Sequence, residues 1–169
     1  MASKVGSFLA SAEARGPGRK KPAETLCPTV DDSLWVVERF NELYNPIAAS
    51  LVIWSGHGCY PAVLFREPLV LAGPEDAALL ESLSRRYHHA LHSIASERGW
   101  TGAVDFCDAA KVLRLPGTVN HKDPANPAPV KLIHTDAARF NPSDLDEVLP
   151  LAREPKLFML PGRDRKSVV

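Results

Sequence analysis

The sequence predicts an α+β fold, with helices packed against a mixed or antiparallel sheet, and three observations carry that prediction. Two stretches, 29–43 and 73–94, place apolar residues at helical spacing behind clear start signals. Between them "SLVIWSGHGCYPAVLF" has the form of a β-hairpin, two apolar runs joined by a glycine-rich turn. After the second helical stretch come short apolar runs punctuated by Pro, Gly and Asn, the pattern of strands and turns. The order is therefore strand, helix, hairpin, helix, strands, with no internal repeat.

Each element has a local cause. "VGSFLASAEARGPGRKKP" opens with an apolar run, Phe8 to Ala10, read as a short strand that passes into a Gly-Pro-Gly turn and the basic loop Arg19-Lys20-Lys21. Thr29 then caps a helix, with Asp32 three residues on and Leu34, Val37, Phe40 and Leu43 as its buried stripe. Asn45-Pro46 ends it. In the hairpin, Leu51 to Trp54 forms a buried strand, Gly56-His57-Gly58 the turn, and Tyr60, Ala62 and Leu64 alternate on the return; Pro61 predicts an edge or a bulge there. Gly73-Pro74-Glu75-Asp76 opens a long helix with Leu80, Leu83, Tyr87, Leu91 and Ile94 inward and Gly99 as its stop. Strands follow near Ala103 to Phe106 and at Val130 to Ile133, and Ser143 is placed as the cap of a last short helix through Val148.

The bulk numbers narrow the function classes. At 169 residues the length fits one domain, assigned to 1–150, with 151–169 an aperiodic tail expected to be disordered. No apolar run approaches the ~18 residues of a membrane span and no secretory pattern opens the sequence, so no membrane partner is expected. Three widely spaced cysteines, Cys27, Cys59 and Cys107, form no Cys-x-x-Cys pair, which argues against a zinc site or a disulfide framework and for a reducing cytoplasm. Twenty basic residues balance twenty acidic ones. Any nucleic-acid role must then rest on local clusters and not on bulk charge.

The densest such cluster is "DFCDAAKVLRLPGTVNHKDP". Asp105 sits at the end of an expected strand and Asp108 three residues on, the type of carboxylate placement that holds a hard cation. Lys111, Arg114 and Lys122 follow, cations suited to phosphate, Arg114 through its fork of donors. Composition alone leaves a second reading open, in which these are surface or capping acids and solvated cations. His88 and His92 share one face of the long helix at metal-binding spacing, but with no evident third ligand they are read as part of a solvated or nucleic-acid-facing polar flank. Cys59 and Cys107 read as small core fillers, and Trp54 and Trp100 as core residues.

"KVLRLPGTVNHKDP" closely resembles the Arg-Val-x-Arg-Leu-Pro-Gly-Thr-x-Asn-x-Lys signature of the bifunctional DNA primase/polymerase (prim-pol) N-terminal domains of the archaeo-eukaryotic primase superfamily. The hairpin "LVIWSGHGCYPAVLFREPL" is similar to that family's Ser-Gly-rich histidine motif, and the two follow in the family's order across roughly residues 50 to 135. The resemblance implies an archaeo-eukaryotic primase-like core with an RRM-like sheet. It implies template-directed nucleotidyl transfer from nucleoside triphosphates, and single-stranded DNA template and primer as partners. A replicative helicase is a further implied partner, and Mg²⁺ or Mn²⁺ the implied cofactor. It assigns Asp105 and Glu13 as catalytic acids on the metal, with Asp108 the second choice for the Asp105 position, and Ser55, His57, Lys111, Arg114, Asn120 and Lys122 to nucleotide binding. Many relatives place the histidine three residues later, where this sequence has Tyr60, so the register of His57 stays open.

The first acidic motif departs from the family. Relatives carry Asp-x-Asp on a strand before a Gly-Pro-Gly-His-Lys loop; the loop here is Gly16-Pro17-Gly18-Arg19-Lys20, and counting back gives Ser11-Ala12-Glu13. Serine supplies no charge, and glutamate is a methylene longer than aspartate. The alternative register, Asp31-Asp32, falls at a helix start where capping already explains Asp32. A domain trimmed at its N-terminal side or diverged there is the expectation. With it comes a second possibility, a domain that binds nucleotide and nucleic acid with impaired catalysis.

Overall fold

The computed structural model describes residues 7–9, 25–56, 58–103 and 113–151. The elements run β1 (Ser7–Leu9), α1 (Val30–Leu43), β2 (Leu51–Trp54), β3 (Cys59–Leu64), α2 (Pro74–Ser96), β4 (Val119–Asn120), β5 (Ala128–Pro129), β6 (Lys131–Thr135) and α3 (Pro142–Val148). The fold class is α+β, as expected. Its main sheet is antiparallel throughout, in the order β1-β3-β2-β6, and β4 and β5 form a separate two-stranded ribbon.

Helix α1 starts where its capping residues dictate. Thr29 and Asp32 exchange bonds, Asp32 N–H donating to Thr29 Oγ1 at 3.1 Å and Thr29 N–H to Asp32 Oδ2 at 3.2 Å. Its buried residues include Val36, Val37 and Phe40, with Leu34 packed at their edge. Leu43, expected in the stripe, is exposed. The helix ends there, and Tyr44 takes the inward position, its ring 4.9 Å from that of Phe40. Helix α2 begins with Pro74 behind Gly73, and Gly99, at φ 80°, follows its end.

The sheet sorts its side chains by the two-residue period of a strand. Val52, Cys59 and Val63 face the helices and share clusters with Val36, Val37, Phe40, Leu83 and Tyr87. Burial pushes the Cys59 thiol up to about 12, consistent with a core filler and a poor nucleophile. Trp100 is likewise core, while Trp54 is only partly buried. Ile53, Tyr60 and Ala62 face the other way and meet Val130 and Leu113.

Three expectations need correction. β3 is an inner strand, between β1 and β2, despite Pro61. Pro61 stands opposite Val52, and the described β1 register stops at Leu9–Ala62, one residue short of the proline. The ring therefore removes no described ladder bond. Helix α3 starts behind Asn141 rather than Ser143, with Asn141 N–H donating to Asp144 Oδ2 at 2.7 Å. The polar flank of α2 is in part core: His88 is fully buried, and its Nδ1 donates to the Ser84 carbonyl at 2.6 Å. His92 Nε2 donates to the Thr101 carbonyl at 3.0 Å, so each ring bonds the backbone through one nitrogen.

Arg86, on the same helix, is the fold's most loaded polar residue among those described. Its guanidinium is buried and binds the Asp146 carboxylate and the carbonyls of Asp146, Leu149 and Pro150, closing the C-terminal end of α3. Arg86→Met keeps the stem and leaves those carbonyls without their donor. It is expected to cost about 3 kcal/mol, read as a lower urea midpoint. Asp146→Ala should cost under about 1 kcal/mol, because that carboxylate is 61% exposed and water takes its place at the guanidinium.

Candidate functional site

The site grows from the turn between β2 and β3. Ser55 is fully buried, and both its N–H and its Oγ donate to the Gly58 carbonyl, at 2.9 and 3.0 Å. Gly56 takes φ 89°, a conformation costly for any residue with a Cβ. The turn is held shut from inside by a serine and made possible by a glycine. His57 lies between Gly56 and Gly58 in sequence but outside the described residues.

The signature segment docks on this turn. Leu115 accepts bonds from Thr118 through both N–H (3.2 Å) and Oγ1 (2.7 Å), closing a turn with Pro116 and Gly117, φ 88°, at its centre. Gly117 N–H then donates to the Val130 carbonyl and Val130 N–H to the Thr118 carbonyl, both at 2.9 Å. This leads directly into β4, where Asn120 pairs with Ala128 of β5. The Asn120 side chain turns inward and is 2% exposed. Its Nδ2 donates to the Ser55 carbonyl at 2.7 Å, and its Oδ1 accepts Lys122 N–H at 3.0 Å. Ala128 packs so tightly on Gly56 that a Cβ built there would lie 2.2 Å from the Ala128 Cβ.

Arg114 precedes this turn and lies half-buried over the sheet face away from the helices, its Nη1 3.4 Å from the Tyr60 hydroxyl. Tyr60 itself is buried against Ile53 and Ala62. Lys122 is exposed just beyond β4. Of the residues singled out from the sequence, Ser55, Asn120 and Lys122 are thus linked in one chain of hydrogen bonds, with Arg114 on Tyr60 of the neighbouring strand. Glu13, His57, Asp105, Asp108 and Lys111 lie outside the described residues, as do Cys107 and the tail 152–169. Among the described residues no three His, Cys, Asp or Glu side chains gather as metal ligands.

Sequence reasoning missed the β4–β5 ribbon and its packing on Gly56. The signal was present in "HKDPANPAP", where Asp123 accepts N–H bonds from Ala125 and Asn126 in a turn. The prolines around it read as loop punctuation and hid strands of two residues each.

An antiparallel sheet with its long helices on one face and a clamped Ser-Gly turn beside it makes an α+β fold. The chain is structurally similar to the AEP domain of the primase-polymerase (PrimPol) of cyanophage S-2L, with a TM-score of 0.52 and 16% sequence identity, over 85% of this chain and 60% of that one. The likeness is one of fold, and the chain spans less than two thirds of that domain. No family model matches the sequence and no curated protein matches it significantly. No described helix is long and apolar enough to cross a membrane.

Proposed function

We propose that this chain is a primase–polymerase-type domain that binds a nucleoside triphosphate and a single-stranded DNA template with its primer, and transfers the nucleotidyl group from the triphosphate to the primer 3′-hydroxyl with release of pyrophosphate. The observation that carries the reading is the docking of the Leu-Pro-Gly-Thr-Val-Asn-His-Lys segment on the Ser55–Gly58 turn through Asn120, within a primase-like fold. That junction brings the Ser-Gly turn, which carries His57 in sequence, and Lys122 to the two ends of one side chain. In this reading His57, Lys111, Arg114 and Lys122 bind phosphate, with Ser55 shaping the turn. Asp105, Glu13 and Asp108 provide carboxylates for Mg²⁺ or Mn²⁺. Such ions, when bound, stabilise the attacking and leaving oxygens of an in-line displacement at the α-phosphate. A replicative helicase is the partner that such a domain would serve.

One sequence observation favours a second reading, a domain that binds but extends poorly. Ser11-Ala12-Glu13 stands where relatives carry Asp-x-Asp, leaving too little negative charge to hold two divalent ions against their mutual repulsion. Primer extension on a single-stranded template with Mn²⁺ tests both readings. Weak, template-dependent incorporation is expected, with triphosphate binding better preserved than turnover. Strong incorporation by the parent would remove the second reading, and absence of both binding and incorporation would remove both.

Arg114 offers a separate check. If its guanidinium meets phosphate, Arg114→Ala weakens single-stranded DNA binding and lowers the log–log salt slope by ~0.7 for each phosphate no longer neutralised. An unchanged affinity and slope would make Arg114 a structural partner of Tyr60.

A further inference from the structure

We infer that Asn120 is a positioning residue, a two-ended spacer whose amide fixes the distance between the Ser-Gly turn and the Lys122 backbone. The inference rests on the triphosphate-site reading above and adds the device that sets the site's width. A nucleotide ligand would need a polar end turned outward. Asn120 instead is buried, with one amide N–H on the Ser55 carbonyl and its Oδ1 accepting Lys122 N–H. No shorter or charged side chain reproduces this. Serine cannot span both partners, and aspartate would oppose one carboxylate oxygen to the Ser55 carbonyl.

A second contact sets the same separation independently. Ala128, the cross-strand partner of Asn120, rests against Gly56 with no room for a methyl group between them. The ribbon is thus held to the turn at two adjacent residues, by a polar contact at Ser55 and a steric one at Gly56. Loosening either contact widens the gap between the turn and Lys122. Because a triphosphate spans fixed distances, a misplacement of about 1 Å costs much of a site's binding and rate.

The test uses the full chain with Asn120→Asp, Ala128→Val and the double variant. The probe is a fluorescent deoxyadenosine triphosphate analogue with Mg²⁺, read alongside thermal melting and backbone amide NMR. Asn120→Asp keeps the acceptor for Lys122 but loses the Ser55 end. It should weaken probe binding at least about tenfold, shift the Gly56 and Gly58 amides, and leave the Lys122 amide near its place. Ala128→Val should weaken the probe to a similar degree by pushing the ribbon off Gly56 and stretching the same Asn120 to Ser55 bond. The double variant should lose little more than the worse single one, because both act on one separation. A merely structural asparagine would lower the melting temperature and leave affinity within about twofold in the folded fraction; that result, or additive losses, overturns the inference. Should the parent fail to bind the probe, the functional reading falls. The Gly58 and Lys122 amides then decide the spacer alone: moved and unmoved supports it, any other pattern overturns it.

Discussion

Gly56→Ala is expected to dismantle the site while leaving the rest of the domain folded. Two costs meet at this position. An L-residue at φ 89° pays about 1–2 kcal/mol for the left-handed conformation. The added methyl group would also lie 2.2 Å from Ala128 Cβ, where overpacking typically costs about 1–3 kcal/mol. Only the steric part, about 1–3 kcal/mol, is relieved when the ribbon moves, and at its midpoint it exceeds the ~1 kcal/mol of a single hydrogen bond such as Asn120 to Ser55. The cheaper response is therefore for the β4–β5 ribbon to lift off the turn. Calorimetry should record a lower melting temperature, and triphosphate binding should fall more than tenfold, by about 1.4 kcal/mol or more. A Gly56→Ala protein that binds as the parent does would show that the ribbon and the turn are not one site.

The second large effect is a gain. Asp at both Ser11 and Glu13 supplies the carboxylate that serine lacks and draws the second back by one methylene. Two divalent ions sit ~3.5–4 Å apart in sites of this kind, so ligand reach and charge both count. The double variant should raise Mn²⁺-dependent primer extension at least about tenfold over the parent, equivalent to ~1.4 kcal/mol of barrier. Gain from the double variant and little from either single substitution would fit two acids acting as a pair. No gain in a well-folded double variant would mean that residues 11 and 13 are not the first acidic motif, and would favour a domain that binds without extending.

The fold was legible where local chemistry decides it. Thr29 with Asp32, and Gly73 with Pro74, mark the helix starts because caps satisfy orphan backbone groups regardless of tertiary context. The hairpin was legible because its apolar alternation and glycine turn agree. Sheet order was not. Pro61 says only that one N–H is missing, and its neighbours are decided by residues far away in sequence. Burial on α2 misled for a similar reason. Arg86 looks like a surface residue until α3 and the turn after it supply its partners, and nothing in the helix's own sequence names them. In the site, the signature's turn was readable from Pro116-Gly117. The inward direction of Asn120 was not, because it depends on a carbonyl 65 residues earlier in the chain.

Amide NMR during titration with a nonhydrolysable deoxynucleoside triphosphate and Mg²⁺ reads whether the signature segment and the Ser-Gly turn form one triphosphate site. The expected result is a saturable set of shifts at Ser55, Gly56, Gly58, Arg114 and Lys122, with the helix-packed residues of α1 and α2 unmoved. Saturable shifts centred on the helical face, or none at millimolar ligand, would contradict that single site.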